Sequence, residues 1–237
     1  CIRDSQYPDE ARQLLIEELR PHLPEGFDVE RHFNPPYRPW QQRIAVVPEG
    51  DLFAGIRSGK ASVVTDEIET FTERGIELKS GESLDADIIV TATGFDLSVL
   101  GGIDFIVDGE DVDFTETVTY RGLMFTGVPN LAYVFGYFRY SWTLRADLIS
   151  DFVCRLLHHM EERDVSMVAP QLRDEDADMG LLPWVDPDNF NPGYLTRSMH
   201  LMPKQGARQP WQLPHDYMVE KEELPAADLD DGALLFR

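Results

Sequence analysis

The segment from Asp85 to Asp96, DADIIVTATGFD, carries the residue types and spacing that bear most directly on ligand chemistry. Its apolar, β-branched run at 87–92 has the composition of a strand covered on both faces of a sheet. The run leads through Ala92 into Thr93 and Gly94. A glycine has no Cβ, so the backbone there can turn close beside a bound dinucleotide. Taken alone, a strand followed by Thr-Gly is a common pattern. The other reactive side chains form no comparable group. His158 and His159 adjoin near a helix end, His22, His32, His200 and His215 are scattered without ligand spacing, and Cys1 and Cys154 make no C-x-x-C pair. No metal site is expected from them. Phosphate-loop, G-x-S-x-G and Ser-His-Asp arrangements are missing as well.

Holding the 85–96 segment in place requires a sheet, and the surrounding pattern predicts its neighbours. Pro8 opens a helix to Arg20 with Ala11, Leu14, Leu15, Ile16 and Leu19 at helical period, stopped by Pro21 and Pro24. Residues 34–40, NPPYRPW, hold three prolines and read as an irregular loop. Strands are predicted at 44–47 and 61–65 on either side of a short helix ending at Ile56, a unit that implies parallel pairing. A hairpin follows over 67–79 about Glu73-Arg74, with a turn at Ser80-Gly81. Beyond the 87–92 strand, short strands are predicted at 103–107 and 117–120. The uncharged run 122–138 is broken by Gly127, Pro129, Asn130 and Gly136, and reads as two buried strands, one at 131–135, rather than a membrane span. The longest helix runs from Ser141, a plausible N-cap, to Arg163, with a wide apolar stripe suited to packing on a sheet. From Asp164 onward Pro, Asp and Gly become dense, the clear helix is 193–201, and the tail is expected to wrap over the rest.

Preceded by a hairpin and an acidic turn, 85–96 resembles the second dinucleotide-domain signature of two-domain flavoproteins. The wider series is NPPYRPWQQRIAVVPEGDLF, GKASVVTDEIETFTERGIEL, DIIVTATGF, YRGLMFTGVPNLAYVFGY, SWTLRADLISDFVCRLLHHM and LMPKQGARQPW. It is similar to the C-terminal part of class B flavoprotein monooxygenases of the Baeyer-Villiger type, in the subgroup that includes the ethionamide-activating enzyme. The resemblance covers nearly the whole chain. It implies an α/β fold, the incomplete C-terminal portion of a Rossmann-like protein with two dinucleotide-binding domains. Residues 1–84 would be the tail of the NADPH domain with its hairpin, 85–163 the returning part of the FAD domain, and 164–237 a wrapping extension. It further implies FAD and NADPH as cofactors, O2 as co-substrate, and oxygen insertion beside a carbonyl or onto sulfur or nitrogen through a C4a-peroxyflavin.

The arginine matching the family's catalytic one is Arg43. A guanidinium stays protonated and donates several fixed hydrogen bonds to a developing anion; a surface arginine paired with a carboxylate is the plainer reading. Gln42 stands where many relatives carry Lys, which bears on any NADPH contact there. Trp40 and Tyr37 would wall the nicotinamide or substrate, or merely anchor their loop. The resemblance also places the start of the long helix, with Trp142, Thr143 and Leu144, against the flavin, where unpaired amides and the positive dipole end suit an anionic ring edge. Thr93 and Gly94 join this cofactor-binding set, as does Lys204, which with Gln205 and Gly206 matches a family segment that closes over the cofactor cleft.

Composition bounds the alternatives. Acidic residues outnumber basic ones 43 to 21 for a net charge of −22, without a basic run, so a nucleic-acid partner is not expected. The excess of Asp over Lys also suits a salt-loving source. Two cysteines, no secretory pattern and no transmembrane segment predict a reduced, cytoplasmic chain, and the Cys at position 1 predicts that the true N-terminus lies upstream. G-x-G-x-x-G, which grips the pyrophosphate of each cofactor in the family, is absent. The chain is therefore expected to be inactive alone, as a fragment or split subunit whose N-terminal half is missing. The alternative is a non-catalytic remnant or partner subunit acting by protein-protein interaction.

Overall fold

Proline at the first helical turn and Asp9 and Glu10 beside it favour a helix start, the one by its fixed φ and the others by the helix dipole. In the computed structural model, which describes residues 6–237, helix α1 spans Pro8–Leu19 and buries Ala11 and Ile16. The chain divides into two compact units that meet in sequence at Gly94 and Phe95. Both helices and strands are present, as a mixed α/β composition requires.

In the first unit, α1 packs with α2 (Val29–Phe33) and α3 (Asp51–Arg57) around Ile16, Leu23, Val29 and Ile56. Asp28 caps α2 by accepting from the Arg31 amide at 3.1 Å. Gly50 enters α3 at φ +67°, a conformation that costs glycine little. The predicted hairpin forms as β1 (Ile68–Thr72) and β2 (Gly75–Leu78), and β3 (Ser83–Asp85) adds a third antiparallel strand. Gly75 is required at this turn: a Cβ there would lie 1.9 Å from the Leu84 carbonyl oxygen.

Three predicted strands are not strands in the structure. Residues 44–47, 61–65 and 87–92 are outside any helix or ladder, so the parallel pairing expected around α3 is not made. The 87–92 run, expected to be covered on both faces, is exposed, with Ile88 and Val90 each at 82%. A strand exists only through hydrogen bonds to a neighbour. Among the described residues no neighbouring strand reaches these segments, so apolar composition alone does not make them a sheet.

The second unit is built from four antiparallel pairs and one long helix. β4 (Ile106–Val107) pairs with β5 (Glu110–Asp111), and β6 (Thr119–Tyr120) with β7 (Met124–Phe125). Helix α4 (Trp142–Glu162) follows, 21 residues as expected from the stripe. After it come β8 (Val168–Pro170), β9 (Leu181–Pro183), α5 (Gly193–Ser198), β10 (Lys204–Gly206), α6 (Tyr217–Glu223) and β11 (Leu234–Phe236). β9 pairs with β10, and β8 with β11. Residues 131–135, also expected as a strand, are outside any ladder.

The buried face of α4 is Arg145, Ile149, Phe152, Leu156 and Met160, while the apolar Leu157 is 59% exposed. That face meets Tyr120, Leu123 and Met124 from the β6–β7 hairpin and Val168, Trp211, Leu224 and Leu234 from the residues after Asp164. The tail thus supplies core side chains as well as covering surface. α6 and the two pairs formed by the tail lack strong periodicity and have no counterpart among the predicted elements.

Replacing Phe152 by Ala is expected to cost about 3–5 kcal/mol of stability, because its ring is 1% exposed between Tyr120 and the helix. Leu157→Ala is expected to change stability by about 0.5 kcal/mol or less. Urea unfolding of the two variants checks which face of α4 carries the packing.

Candidate functional site

The candidate residues lie in both units, and each group has its own support. In the first unit the proline-rich loop is tied down by α1. Arg12 donates to Asn34 Oδ1 at 3.0 Å and to the backbone oxygens of Pro35 and Tyr37 at 2.8 Å each. Prolines offer no amide hydrogen, so such a loop must be held through its carbonyls, and a guanidinium can satisfy several at once. Tyr37, Trp40 and Gln42 are half-buried, and Trp40 sits at φ +65°. Arg43 is exposed and, among the described residues, forms no hydrogen bond or ion pair. The plainer expectation, an arginine held by one of the many carboxylates, is therefore not what the structure shows.

Thr93 and Gly94 are exposed, and Gly94 adopts φ +99°, in the half of conformational space that favours glycine. The buried strand expected to lead into Gly94 is not formed. No hydrogen bond or ion pair among the described residues joins Arg43 to Thr93 or Gly94.

In the second unit, Trp142, Thr143 and Leu144 form the first turn of α4. The Ser141 side chain makes no capping bond and instead meets Thr143 Oγ1 at 2.9 Å. The Leu144 amide reaches the Ser141 oxygen at 3.3 Å, and Trp142 and Thr143 are exposed at an uncapped, positive helix end. The Trp142 ring packs on Phe135 at 4.9 Å and over Gly136, where a Cβ would come within 2.3 Å of it.

One turn further, Arg145 is wholly buried. It donates to both carboxylate oxygens of Glu220, at 3.0 and 3.2 Å through Nε, and to the carbonyls of Phe135 at 2.6 Å, Arg121 at 2.9 Å and Gly122 at 3.3 Å. A buried charge survives only when paired and fully hydrogen-bonded, as here. One side chain thereby fixes the start of α4, the end of the 131–135 segment, the turn at 121–122 and α6. The signal for it was an arginine four residues before Ile149 on an apolar helix face, where a charge needs a partner.

Beside this pair lies His215, at φ +53°, its ring 4.3 Å from Phe138 and 5.9 Å from Phe135. Both ring nitrogens are enclosed without a hydrogen-bond partner. Burial, and then the Arg145 charge, hold its pKa well below the ordinary imidazole value, so the ring is neutral. Burial likewise pushes the Tyr133 phenol up to about 12.

Lys204 begins β10, half-buried, with its amide on the Thr117 oxygen at 2.9 Å and its charge acting on Asp113. Gln205 is a brace: its amide donates to Pro183 and Trp184 carbonyls and its Oε1 accepts from the Leu213 amide. Gly206 is buried against Met179 and Trp211, with no room for a Cβ. Among the described residues no His, Cys, Asp and Glu cluster could hold a metal ion, and no helix is long and apolar enough to cross a membrane.

Known proteins show what these residues resemble. The FAD-containing monooxygenase EthA of Mycolicibacterium smegmatis is 47% identical over 231 residues, which is 98% of this chain and 46% of that protein. Nearly the whole chain is thus similar to part of an FAD-containing monooxygenase. EthA of Mycobacterium tuberculosis is 45% identical over the same share of each chain. A probable FAD-binding monooxygenase, AlmA, of Acinetobacter baylyi is 43% identical over 233 residues, 97% of this chain and 45% of its own. The chain spans about half the length of these relatives and corresponds to their C-terminal part. No protein-family model and no solved structure matches it.

Two outcomes follow from the buried pair and its neighbour. Arg145→Met leaves Glu220 buried without a partner and is expected to cost about 3–5 kcal/mol, most of it recovered when Glu220→Leu is added. Urea unfolding of the single and double variants checks this. For His215 the unfolded chain takes up a proton below about pH 6.5 that the folded chain refuses. Stability is then full above that pH and falls by up to about 1.4 kcal/mol per pH unit below it. His215→Phe is expected to remove that part of the slope, measured by unfolding at pH 7 and pH 5.

Proposed function

We propose that this chain supplies the C-terminal part of an FAD- and NADPH-dependent monooxygenase that places one atom of O2 beside a ketone carbonyl, in the Baeyer-Villiger sense, or on sulfur or nitrogen of a small molecule. The observation that carries the reading is the similarity of 98% of the chain to monooxygenases named for FAD. In this reading residues 1–84 complete the NADPH domain, 85–163 return to the FAD domain, and 164–237 form its extension, giving a Rossmann-like fold with two dinucleotide domains. The full activity needs the N-terminal half that the relatives possess, and the chain alone turns nothing over.

The residues present suit such a cofactor. An uncapped helix of 21 residues, with exposed Trp142 and Thr143 at its positive end, offers backbone donors to an anionic ring edge. Gly94 at positive φ allows close approach of a ligand to the main chain. Bound FAD would supply the redox chemistry with O2, which no side chain of this protein can perform.

The chain's own contribution is electrostatic and positional. Arg43, permanently charged and without an internal partner, is the group proposed to hold negative charge as it develops on oxygen. Tyr37 and Trp40, on the loop fixed by Arg12, wall that region, with Gln42 toward NADPH. Arg145 ties the α4 terminus to the Phe135 carbonyl, and Lys204 adds a cation on β10. Substrate choice among ketone, thioether and thioamide is left to loops from both halves of the enzyme.

The test is co-expression of this chain with the N-terminal half of a relative, followed by NADPH oxidation with ester or sulfoxide detection. In the assembled enzyme Arg43→Ala is expected to keep NADPH oxidation while product falls by about 100-fold or more, the usual scale for loss of a charge-stabilising donor. The same variant is expected to leave stability within about 0.5 kcal/mol, since Arg43 is exposed and unpaired. Product at the parental rate would remove Arg43 from the mechanism.

A further inference from the structure

We infer that a pocket in the second unit, walled by residues 98–99, the segment 111–115 and Leu201, is a binding site for a small organic ammonium ion with an alkyl or aryl body. None of the residues proposed above to meet FAD, NADPH or oxygen lines it.

The pocket has a volume of about 420 Å3, inside the range of about 300–1,000 Å3 that holds small organic molecules. Stretches far apart in the chain build it. β5 ends at Asp111 and leads through Val112 into a short 3-10 turn, Phe114–Glu116. Asp113 caps that turn: its Oδ1 accepts from the Thr115 amide at 2.9 Å and from the Thr115 hydroxyl at 2.7 Å. The Val112 amide donates to the Phe105 oxygen at 2.8 Å, which extends the β4–β5 pairing up to this wall. The buried Phe114 ring meets Phe105 and Phe125 edge to face, at 5.4 and 5.0 Å. Leu201 closes the 3-10 turn that follows α5. Packed rings and backbone bonds thus set the walls before a ligand arrives, which lowers the cost of binding one.

The lining divides by chemistry. Val99, Val112, Phe114 and Leu201 supply carbon surface, Asp111 and Asp113 two carboxylates, and Ser98 and Thr115 two hydroxyls. No Lys, Arg or His lines the pocket. Among the described residues the Asp111 carboxylate and Asp113 Oδ2 make no hydrogen bond or ion pair. The Thr115 hydroxyl and amide, aided by the Lys204 charge, hold the Asp113 carboxyl below its ordinary pKa, so it is ionised at neutral pH.

This combination selects the ligand by its charge and its body. A bare calcium ion takes about 6–8 oxygen ligands, and among the described residues no group of His, Cys, Asp and Glu could hold a metal ion. A neutral or anionic ligand leaves the two carboxylates uncompensated. An organic ammonium ion serves both halves: its N–H groups donate to the carboxylates while its carbon body covers Val112, Phe114 and Leu201. The net charge of −22 draws any cation toward the surface, and the carbon wall is what sets this place apart.

Titration of the full chain with 2-phenylethylammonium chloride, followed by calorimetry and by amide NMR shifts, tests the assignment. Saturable binding with a Kd of about 1 mM or tighter is expected, with shifts centred on 98–99, 111–115 and 201. 2-Phenylethanol keeps the carbon body without the charge, and methylammonium keeps the charge without the body. Each is expected to bind about tenfold more weakly or worse. Asp111→Lys exchanges an attraction for a repulsion and is expected to weaken 2-phenylethylammonium by about tenfold or more. Asp111 is exposed at the end of a two-residue strand, so this variant is expected to keep the parental far-ultraviolet circular dichroism. Should it misfold, the ranking of the three probes on the parental chain decides.

Equal binding of methylammonium, with shifts spread over the acidic surface, would reduce the effect to counter-ion attraction and overturn the site. Equal binding of 2-phenylethanol would overturn it too, as would unchanged affinity in folded Asp111→Lys. Shifts at the same amides with calcium chloride alone, and none with 2-phenylethylammonium, would assign the pocket to a metal ion instead.

Discussion

A single guanidinium organises the second unit. Arg145 stands on the apolar face of α4 and spends every donor direction on carboxylate or carbonyl oxygen from three separate stretches of chain. The interior could not tolerate that charge without Glu220, nor Glu220 without it, so the position of α6 and the entry to α4 are set together. Hydrophobic contacts around Trp211 and Phe152 give the unit its cohesion. The ion pair gives it a defined geometry at the helix end, where the exposed Trp142 and Thr143 lie.

The same neighbourhood explains His215. An imidazole enclosed by Phe135, Phe138 and Trp184, with a cation nearby, has no favourable way to take a proton. Its backbone lies in a region that non-glycine residues rarely occupy. Strain and an unsatisfied polar ring in one residue mark the link between Leu213 and α6 as over-determined by the packing around it.

Legibility in the sequence followed the range of the interactions. α1, α3, α4 and the β1–β2 hairpin are fixed by local features: proline at a helix start, a heptad-scale apolar stripe, glycine at a tight turn. Each is found where the pattern predicts it. The stretches 44–47, 61–65, 87–92 and 131–135 have the composition of strands, and composition reports the environment a segment is suited to rather than the hydrogen bonds it has. The small pairs β8–β11 and β9–β10 join residues far apart in the chain, with no periodic signal to betray them. Among the candidate site residues, Gly94 is singled out by its missing Cβ, and the helix tip by resemblance together with its free amides. Arg145 and Glu220, 75 residues apart, were not paired by any local rule. Arg43 rested on resemblance, since an exposed arginine on an irregular loop has no distinguishing pattern.

The bare backbone at 88–93 also governs how the polypeptide behaves in solution. A flat, uncharged, β-branched ribbon with unsatisfied amides is the template from which cross-β stacking grows. Handling this chain in isolation therefore sets mutual electrostatic repulsion between acidic surfaces against sticking of ribbon to ribbon. Raising the ionic strength weakens the first and leaves the second, so solubility of the isolated chain is governed by salt.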